Sequence, residues 1–135
     1  MNTIHRATLA LATVILTACG GMYGMETASS GMSAAPAMAR DGVLTNSAGM
    51  TLYVFDRDPA DASKSVCNGP CAINWPPLMA SGGTSASGDW AMVTRDDRSK
   101  QWAYKGKPLY LWVKDTKPGD RTGDGVNDVW HVARP

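Results

Sequence analysis

The stretch Leu-Tyr-Val-Phe-Asp-Arg-Asp at residues 52–58 decides the fold, because a near copy of it recurs later in the chain. The second copy reads Leu-Tyr-Leu-Trp-Val-Lys-Asp at residues 109–115. A glycine precedes each copy at the same offset, Gly49 in the first and Gly106 in the second. The chain therefore contains an internal repeat, and a repeat unit this short buries its apolar face only against a neighbour.

The repeat extends beyond these two stretches. Trp75 aligns with Trp130 when two residues are gapped, so each copy runs from a turn glycine through a strand and an acidic turn to a tryptophan. We place the copies at about residues 42–78 and 92–135, within one domain that covers residues 41–135. Two halves of this size are too small to fold alone, and we expect them to share one core with approximate two-fold symmetry.

Alternation along the first copy predicts a strand that is buried on both sides. Tyr53 and Phe55 point to one face of a strand, and Leu52 and Val54 point to the other. Other β-type runs are separated by Gly, Asn, Asp and Pro, which is typical of an antiparallel all-β protein with long ordered loops. We predict a first hairpin from 43–45 and 51–55, a second from 92–95 and 101–104, and further strands at 109–113 and 129–132.

The N-terminal residues 1–18 have the pattern of an export signal, in which Arg6 precedes an apolar run that is too short to span a membrane. The residues Leu16-Thr17-Ala18-Cys19 look like a lipobox, the site at which a bacterial lipoprotein is cleaved before an acylated cysteine. The alternative is an ordinary secretory cleavage site beside an incidental cysteine. The lipobox interpretation predicts a protein anchored in the bilayer by acyl chains, palmitate among them, on Cys19.

Residues 19–40 are rich in Gly, Ala, Ser and Met and predict a flexible stalk between the anchor and the domain. Gly20 follows the cysteine, whereas lipoproteins retained at the inner membrane of Gram-negative bacteria usually carry Asp there, so the outer membrane is favoured. The stalk methionines could bind copper(I) through their thioethers, although chance occurrence in a low-complexity tract is the simpler explanation: Met22, Met25, Met32 and Met38.

The overall charge argues against nucleic-acid binding. The formal net charge is +1 at neutral pH, and cleavage before Cys19 removes Arg6 from the basic side. Phosphate backbones are bound through a surplus of Lys and Arg, which this chain lacks.

Cys67 and Cys71 remain as a pair once Cys19 is acylated, and a disulfide is the default in an oxidising compartment. The same spacing occurs in copper-delivery proteins, where soft thiolates hold copper(I) and His131 or Met79 would supply a third ligand. Both interpretations stay open at the level of the sequence.

Further candidate metal ligands lie near the C-terminus. The loop from Asp115 to Asp128 carries several carboxylates that would suit calcium, among them Asp120, Asp124 and Asp128, but its spacing is not that of an EF-hand. A solvated turn is the favoured interpretation of this loop, and a calcium site is the alternative. His131 is the one histidine after the signal segment, and no nucleophile motif accompanies it, so we expect no catalytic site.

These motifs together resemble a family of bacterial secreted lipoproteins known as the secreted repeat of unknown function, which carries a repeated Y-x-[FWY]-x-x-D motif. The motif residues here are Tyr53, Phe55 and Asp58 in the first copy and Tyr110, Trp112 and Asp115 in the second. Other matching elements are Cys67–Cys71 followed by the Trp-Pro-Pro-Leu at 75–78, the Gln-Trp at 101–102 and the Trp-His-Val at 130–132. The resemblance implies a secreted location and a two-repeat architecture, and it implies no activity.

The functional hypothesis is a membrane-tethered, non-enzymatic envelope module that binds or scaffolds an envelope protein or a glycan. The alternative is a periplasmic copper or redox protein that uses Cys67 and Cys71. The aspartates Asp58 and Asp115 are interpreted as turn residues that accept backbone hydrogen bonds, with a ligand role as the alternative.

Overall fold

The computed structural model describes residues 35–81 and 84–135. The predicted signal segment, the lipobox with Cys19 and the predicted stalk up to residue 34 lie outside the described residues. In the described part of the chain, no helix is both long enough and apolar enough to cross a membrane.

The fold class is confirmed, because short antiparallel strands make up most of the regular structure in the described residues. The elements in chain order are β1 Met38–Arg40, β2 Val43–Thr45, β3 Tyr53–Phe55, α1 Pro70–Asn74, β4 Trp90–Thr94, β5 Lys100–Tyr104, β6 Lys107–Pro108, a 3-10 helix Val126–Asp128 and β7 Trp130–Val132. β1 pairs with β2, β3 pairs with β7, and β5 lies between β4 and β6. All of these pairings are antiparallel.

The two copies of the repeat meet at their tyrosines. The Tyr53 N–H donates to the Tyr110 carbonyl at 2.8 Å, and the Tyr110 N–H donates back to the Tyr53 carbonyl at 2.9 Å. On its other edge Tyr53 pairs with Val132 of β7. The reciprocal tyrosine bonds therefore join the two copies through equivalent residues.

β3 separates two hydrophobic clusters, as its alternation predicts. Tyr53 and Phe55 belong to a cluster that also contains both repeat tryptophans, Trp75 and Trp130. Leu52 belongs to a second cluster with Leu44 and Leu109, and Val54 packs against it. The strand is thus covered on both faces, and burial of both sets of side chains stabilises it.

The turn glycine that opens each copy has a left-handed backbone, with φ of 81° at Gly49 and 82° at Gly106. At Gly106 a Cβ would also lie 1.8 Å from the Ala60 carbonyl oxygen, which leaves no room for any side chain. Glycine is therefore required at this turn by both conformation and space.

The predicted strand at 109–113 is wrong. Tyr110 forms isolated bridges to Tyr53 on one side and to Pro77 on the other, and the segment does not continue as a ladder. The neighbouring chain contributes Pro76 and Pro77, which have no N–H to donate, so a regular ladder cannot form along that edge.

The first hairpin is only partly as predicted, whereas the second, β4 with β5, is confirmed. Residues 46–50 do form a tight turn, closed by an isolated bridge between Thr45 and Thr51. The ladder partner of β2 is nevertheless β1, which lies in the last residues of the segment predicted as a stalk. Ala37, next to β1, is buried in the second hydrophobic cluster, and its packing there fixes the segment to the domain.

Candidate functional site

The motif tyrosine of each copy bonds the motif aspartate of the other copy. The Tyr53 hydroxyl donates to Asp115 Oδ2 at 2.6 Å, and the Tyr110 hydroxyl donates to Asp58 Oδ2 at 2.5 Å. All four residues are buried, with at most 8% of each exposed. Hydrogen bonds from a hydroxyl to a carboxylate are short and strong, so the repeat motif joins the two halves through a pair of crossed contacts.

The second oxygen of each aspartate holds a loop within its own copy. Asp58 Oδ1 accepts the Val66 N–H at 2.7 Å, and Asp115 Oδ1 accepts the Thr122 N–H at 3.0 Å and the Thr122 hydroxyl at 2.6 Å. Each carboxylate therefore connects a tyrosine of the opposite copy to a loop that follows it in the chain. In this geometry the aspartates are fully occupied by protein donors.

An aromatic stack runs through the first cluster and is formed in order by Trp112, Trp75, Trp130 and Phe55. Adjacent ring centroids are 3.9, 3.8 and 4.2 Å apart, with interplanar angles of 23° or less. Tyr53 meets Trp75 edge-on at 5.4 Å, and Tyr110 meets Trp130 edge-on at 5.1 Å. Stacked and edge-on pairs are the favoured arrangements of aromatic rings.

Gly123 allows the rings to approach the chain closely. A Cβ at this position would lie 2.9 Å from the rings of Trp75 and Tyr53, and the Gly123 N–H donates to the Tyr53 hydroxyl at 3.2 Å. A side chain here would displace rings that are fixed by the stack, so the site requires glycine for space.

A buried arginine makes the Asp58 end different from the Asp115 end. Arg95 Nη1 donates to Ser65 Oγ at 2.9 Å and to Gln101 Oε1 at 2.7 Å. Ser65 in turn bonds the Tyr110 hydroxyl at 2.7 Å. Because that hydroxyl donates to Asp58, the chain of hydrogen bonds runs from the guanidinium through Ser65 and Tyr110 to the carboxylate.

Burial governs the ionisation of these groups. It raises the pKa of Tyr53 and of Tyr110 well above the ordinary value, and the hydrogen bond of each to an aspartate raises it further. Burial also raises the pKa of Asp58, against the opposing effects of the Tyr110 hydroxyl and the charges of Lys107 and Arg95. Burial thus shifts the ionisation equilibrium of each of these groups towards the neutral form.

The predicted disulfide between Cys67 and Cys71 is confirmed, with Cα atoms 5.2 Å apart. Cys67 is fully buried beside the aromatic cluster, and Cys71 is partly exposed. Arg95 Nη2 donates to the Cys67 carbonyl at 2.6 Å, so the buried arginine also fixes the disulfide loop. Since both sulfurs are bonded to each other, the alternative in which they hold copper(I) as thiolates is not what the structure shows.

The other candidate metal ligands do not converge. No group of three or more His, Cys, Asp or Glu side chains in residues 35–81 and 84–135 is arranged to hold a metal ion. His131 Nε2 lies 2.8 Å from Asp56 Oδ2, and Asp124 accepts the Val132 N–H. Asp120 accepts bonds from the loop of Thr116 and Lys117, and Lys117 lowers the pKa of Asp120 to about 2.

The remaining candidate residue, Asp128, lies in the exposed 3-10 helix, where the backbone bonds of a turn explain its position. The copper candidate, Cys67 and Cys71 with His131, and the calcium candidate, Asp120, Asp124 and Asp128, are therefore each made of groups that are engaged locally in this structure.

An exposed apolar surface lies beside the disulfide loop. Ile73 of α1 is 73% exposed, Val113 is 50% exposed and Val66 is 40% exposed. The Val113 N–H donates to the carbonyl of Asn74, so the segments that carry Ile73 and Val113 adjoin, and Val66 directly precedes Cys67 of the disulfide. We call Val66, Ile73 and Val113 the apolar edge.

The architecture defines a class of protein: an all-β domain of two repeats joined by crossed tyrosine–aspartate bonds. A family model described as a secreted repeat of unknown function matches residues 37–79 and 91–134, which together make up more than half of the chain. The chain therefore belongs to this family of secreted repeats. Searches of curated proteins and of solved structures gave no match.

Sequence reasoning missed the residues around Asp58. Arg95 was placed in the second hairpin with no role, and Ser65 was not singled out. A signal existed for Arg95, because it directly follows β4 at an alternating position that is buried like Val93. Nothing in the pattern around Ser65 indicates that its hydroxyl would join an arginine to a tyrosine.

Proposed function

We propose that this protein is a lipid-anchored module of the bacterial cell envelope, held at the outer membrane of a Gram-negative bacterium by acyl chains on Cys19. The sequence Leu16-Thr17-Ala18-Cys19 supports the anchor, and membership of a family of secreted repeats supports export. Gly20 after the cysteine supports the outer rather than the inner membrane. The bilayer is thus the first partner of the chain, and two or more acyl chains suffice for stable anchoring.

The proposed role of the domain is to bind or scaffold another component of the envelope, without catalysis. The observation that carries this proposal is the apolar edge, because Ile73 and Val113 expose aliphatic surface on adjoining segments and Val66 is exposed beside the disulfide. Contiguous exposed apolar surface is typical of interaction sites.

The disulfide loop that adjoins the apolar edge is fixed in position, which suits a binding surface. The disulfide closes it, and Arg95 bonds both the Cys67 carbonyl and Asn68 Oδ1. A surface that is ordered before binding loses less entropy when a partner docks. Because the exposed groups are aliphatic, a protein partner is favoured over a glycan, for which flat aromatic surfaces are the usual platform.

The anchor is tested by replacing Cys19 with Ser in the full chain. We expect the wild type to sediment with outer membranes and to carry acyl chains that are visible in the mass of its N-terminal peptide. The Cys19→Ser variant should lose the acyl mass and leave the membrane fraction. Unchanged membrane association and an unmodified N-terminus in the wild type would contradict the anchor.

The binding surface is tested by placing a photo-crosslinking residue at position 73 in cells, with position 79 as the matched control. Met79 is 50% exposed and pairs with Gln101 of β5, so it is an exposed apolar side chain outside the apolar edge. We expect one discrete envelope-protein adduct from position 73 and none from position 79. Adducts of equal yield at both positions, or none at position 73, would contradict the proposal, and a glycan adduct would change the class of partner.

A further inference from the structure

The rings of the aromatic stack form a continuous path from the surface to two hydrogen-bonded tyrosines. Packing of a core does not by itself require such a path. Trp112 is partly exposed at one end, with Lys114 Nζ 5.6 Å from its ring centroid. Trp75 and Trp130 follow at stacking distance, and each is met by a tyrosine edge. Rings in contact exchange single electrons readily, because tryptophan and tyrosine are the side chains that are oxidised most easily after cysteine.

We propose that this core carries out one-electron redox chemistry, in which Trp112 is oxidised at the surface and the oxidising equivalent moves through Trp75 and Trp130 to Tyr53 or Tyr110. This activity is independent of the proposed anchor and of the apolar edge. The oxidant is of the class of outer-sphere one-electron acceptors, such as an oxidised metal complex. The reductant that restores the core is a one-electron donor of the ascorbate class.

The electrons and protons balance at each step. The oxidant takes one electron from Trp112, which becomes a radical cation, and Trp112 is refilled by one electron from Trp75. Trp75 in turn takes one electron from Trp130, and Trp130 takes one electron from a tyrosine. That tyrosine gives up one electron to the stack and its hydroxyl proton to the bonded aspartate, which leaves a neutral tyrosyl radical and a neutral carboxylic acid. The reductant later supplies one electron, and the aspartate returns the proton.

The crossed pairs make the tyrosines the end of the path. Oxidation of a tyrosine is favourable only when its proton has an acceptor, and Asp115 Oδ2 and Asp58 Oδ2 lie 2.6 and 2.5 Å from the two hydroxyls. Burial of both pairs keeps water away, so the proton stays on the aspartate until reduction. Because Tyr53 and Tyr110 are buried, a tyrosine of another molecule cannot reach the radical and form a cross-link with it.

The tryptophan at the entrance lacks such an acceptor. Trp112 Nε1 is buried and has no hydrogen-bond partner among the described residues. A tryptophan radical cation that cannot release its proton remains a stronger oxidant than one that has released it. Trp112 is therefore suited to pass the oxidising equivalent inward, whereas Phe55 at the far end is too difficult to oxidise and closes the path.

The test uses the full chain in detergent with a photogenerated ruthenium(III) polypyridyl complex as oxidant. Transient absorption should show the tryptophan radical band decay while the tyrosyl band appears. The Trp112→Phe variant should slow formation of the tyrosyl radical, and Trp90→Phe is the matched control because Trp90 lies outside the stack, against Trp102 and Tyr104. Equal rates in these two variants would overturn the assignment of the entrance.

The tyrosines are tested with the double variant Tyr53→Phe, Tyr110→Phe against Tyr104→Phe. We expect loss of most of the tyrosyl signal in the double variant and its retention in the control. If the double variant does not fold, the single tyrosine variants and Asp115→Asn replace it. The asparagine keeps an acceptor oxygen but takes up no proton. Asp115→Asn should lower the yield of radical on Tyr53, measured in a Tyr110→Phe background. A tyrosyl yield in the double variant equal to that of the wild type, or no change when Asp115→Asn is added to Tyr110→Phe, would overturn the proposal.

Discussion

The two ends of the tyrosine–aspartate core share one motif but differ in their surroundings. At the Asp115 end, the carboxylate and Tyr53 bond only backbone amides and the hydroxyl of Thr122. At the Asp58 end, Tyr110 is joined through Ser65 to the buried guanidinium of Arg95. The motif thus supplies the contact between halves, and the residues that the copies do not share make one end a charged, buried network.

The two ends therefore have different roles in the domain. The Asp115 end is a local turn that is closed by a tyrosine from the other copy. The Asp58 end also holds the disulfide loop, because Arg95 bonds the Cys67 carbonyl. The end that carries the buried charge is therefore the end that orders the proposed binding surface.

The largest effect is expected from removal of the arginine. Arg95→Ala leaves Ser65, Gln101 and the Cys67 carbonyl without their donor in a buried site, and the loss should be about 3 kcal/mol in the free energy of unfolding. Arg57→Ala is the matched control, because Arg57 is exposed. Denaturant unfolding of both variants measures the difference, and an equal loss in the two would contradict the central position of Arg95.

The next effect is expected from the tyrosine hydroxyls. Tyr110→Phe and Tyr53→Phe each leave a buried carboxylate without its donor, at a cost of about 1–3 kcal/mol. Each variant also removes the partner of one further group, Ser65 for Tyr110→Phe and the Gly123 N–H for Tyr53→Phe. Tyr110→Phe should cost more, because its hydroxyl belongs to the network of the buried Arg95 charge. Tyr104→Phe, at a partly exposed ring, should change the unfolding free energy by less than about 0.5 kcal/mol. A smaller loss for Tyr110→Phe than for Tyr53→Phe would remove the distinction between the two ends.

The third effect concerns the disulfide. The Cys67→Ala, Cys71→Ala double variant should lose about 2 kcal/mol, since the closed loop is short. Hydrogen exchange localises the change: protection of the Val66 amide, which bonds Asp58, should fall more than that of the Thr122 amide, which bonds Asp115. Equal loss at both amides would mean that the two ends respond as one unit.

The smallest effect is a pH dependence from Asp58. Burial raises the pKa of Asp58 above its ordinary value of 3.8, so the folded state favours the protonated form. The contribution of Asp58 to stability is complete below that ordinary value and is lost as the pH rises through the higher pKa of the folded state. Asp58→Asn should remove this decline, and the exposed control Asp89→Asn should retain it. A decline unchanged in Asp58→Asn would contradict the assignment.

Much of the fold follows from the repeat and from alternation. The copies, their shared core and the two-sided burial of Tyr53–Phe55 are properties of sequence order and of strand periodicity. The segment after Pro108 differs, because its apolar run indicates a strand but its neighbours are prolines that cannot complete a ladder. Which residues lie opposite each other depends on the tertiary arrangement, and local patterns do not contain that information.

The candidate site was accessible from the sequence only in part. The motif marks Tyr53, Asp58, Tyr110 and Asp115, but a turn role for each aspartate within its own copy is the simplest interpretation of the pattern. The crossing of the pairs appears only when the halves are brought together. Burial of Arg95 likewise depends on carbonyl and side-chain acceptors that come from three separate segments.

The central claim is that each tyrosine bonds the aspartate of the opposite copy, and a double-mutant cycle tests it most directly. Tyr53→Phe combined with Asp115→Ala should show a coupling of about 1–3 kcal/mol in the free energy of unfolding, because the two residues share one buried bond. Tyr53→Phe combined with Asp58→Ala, within the same copy, should be additive to within about 0.5 kcal/mol. Strong coupling within the copy and additivity between the copies would contradict the account.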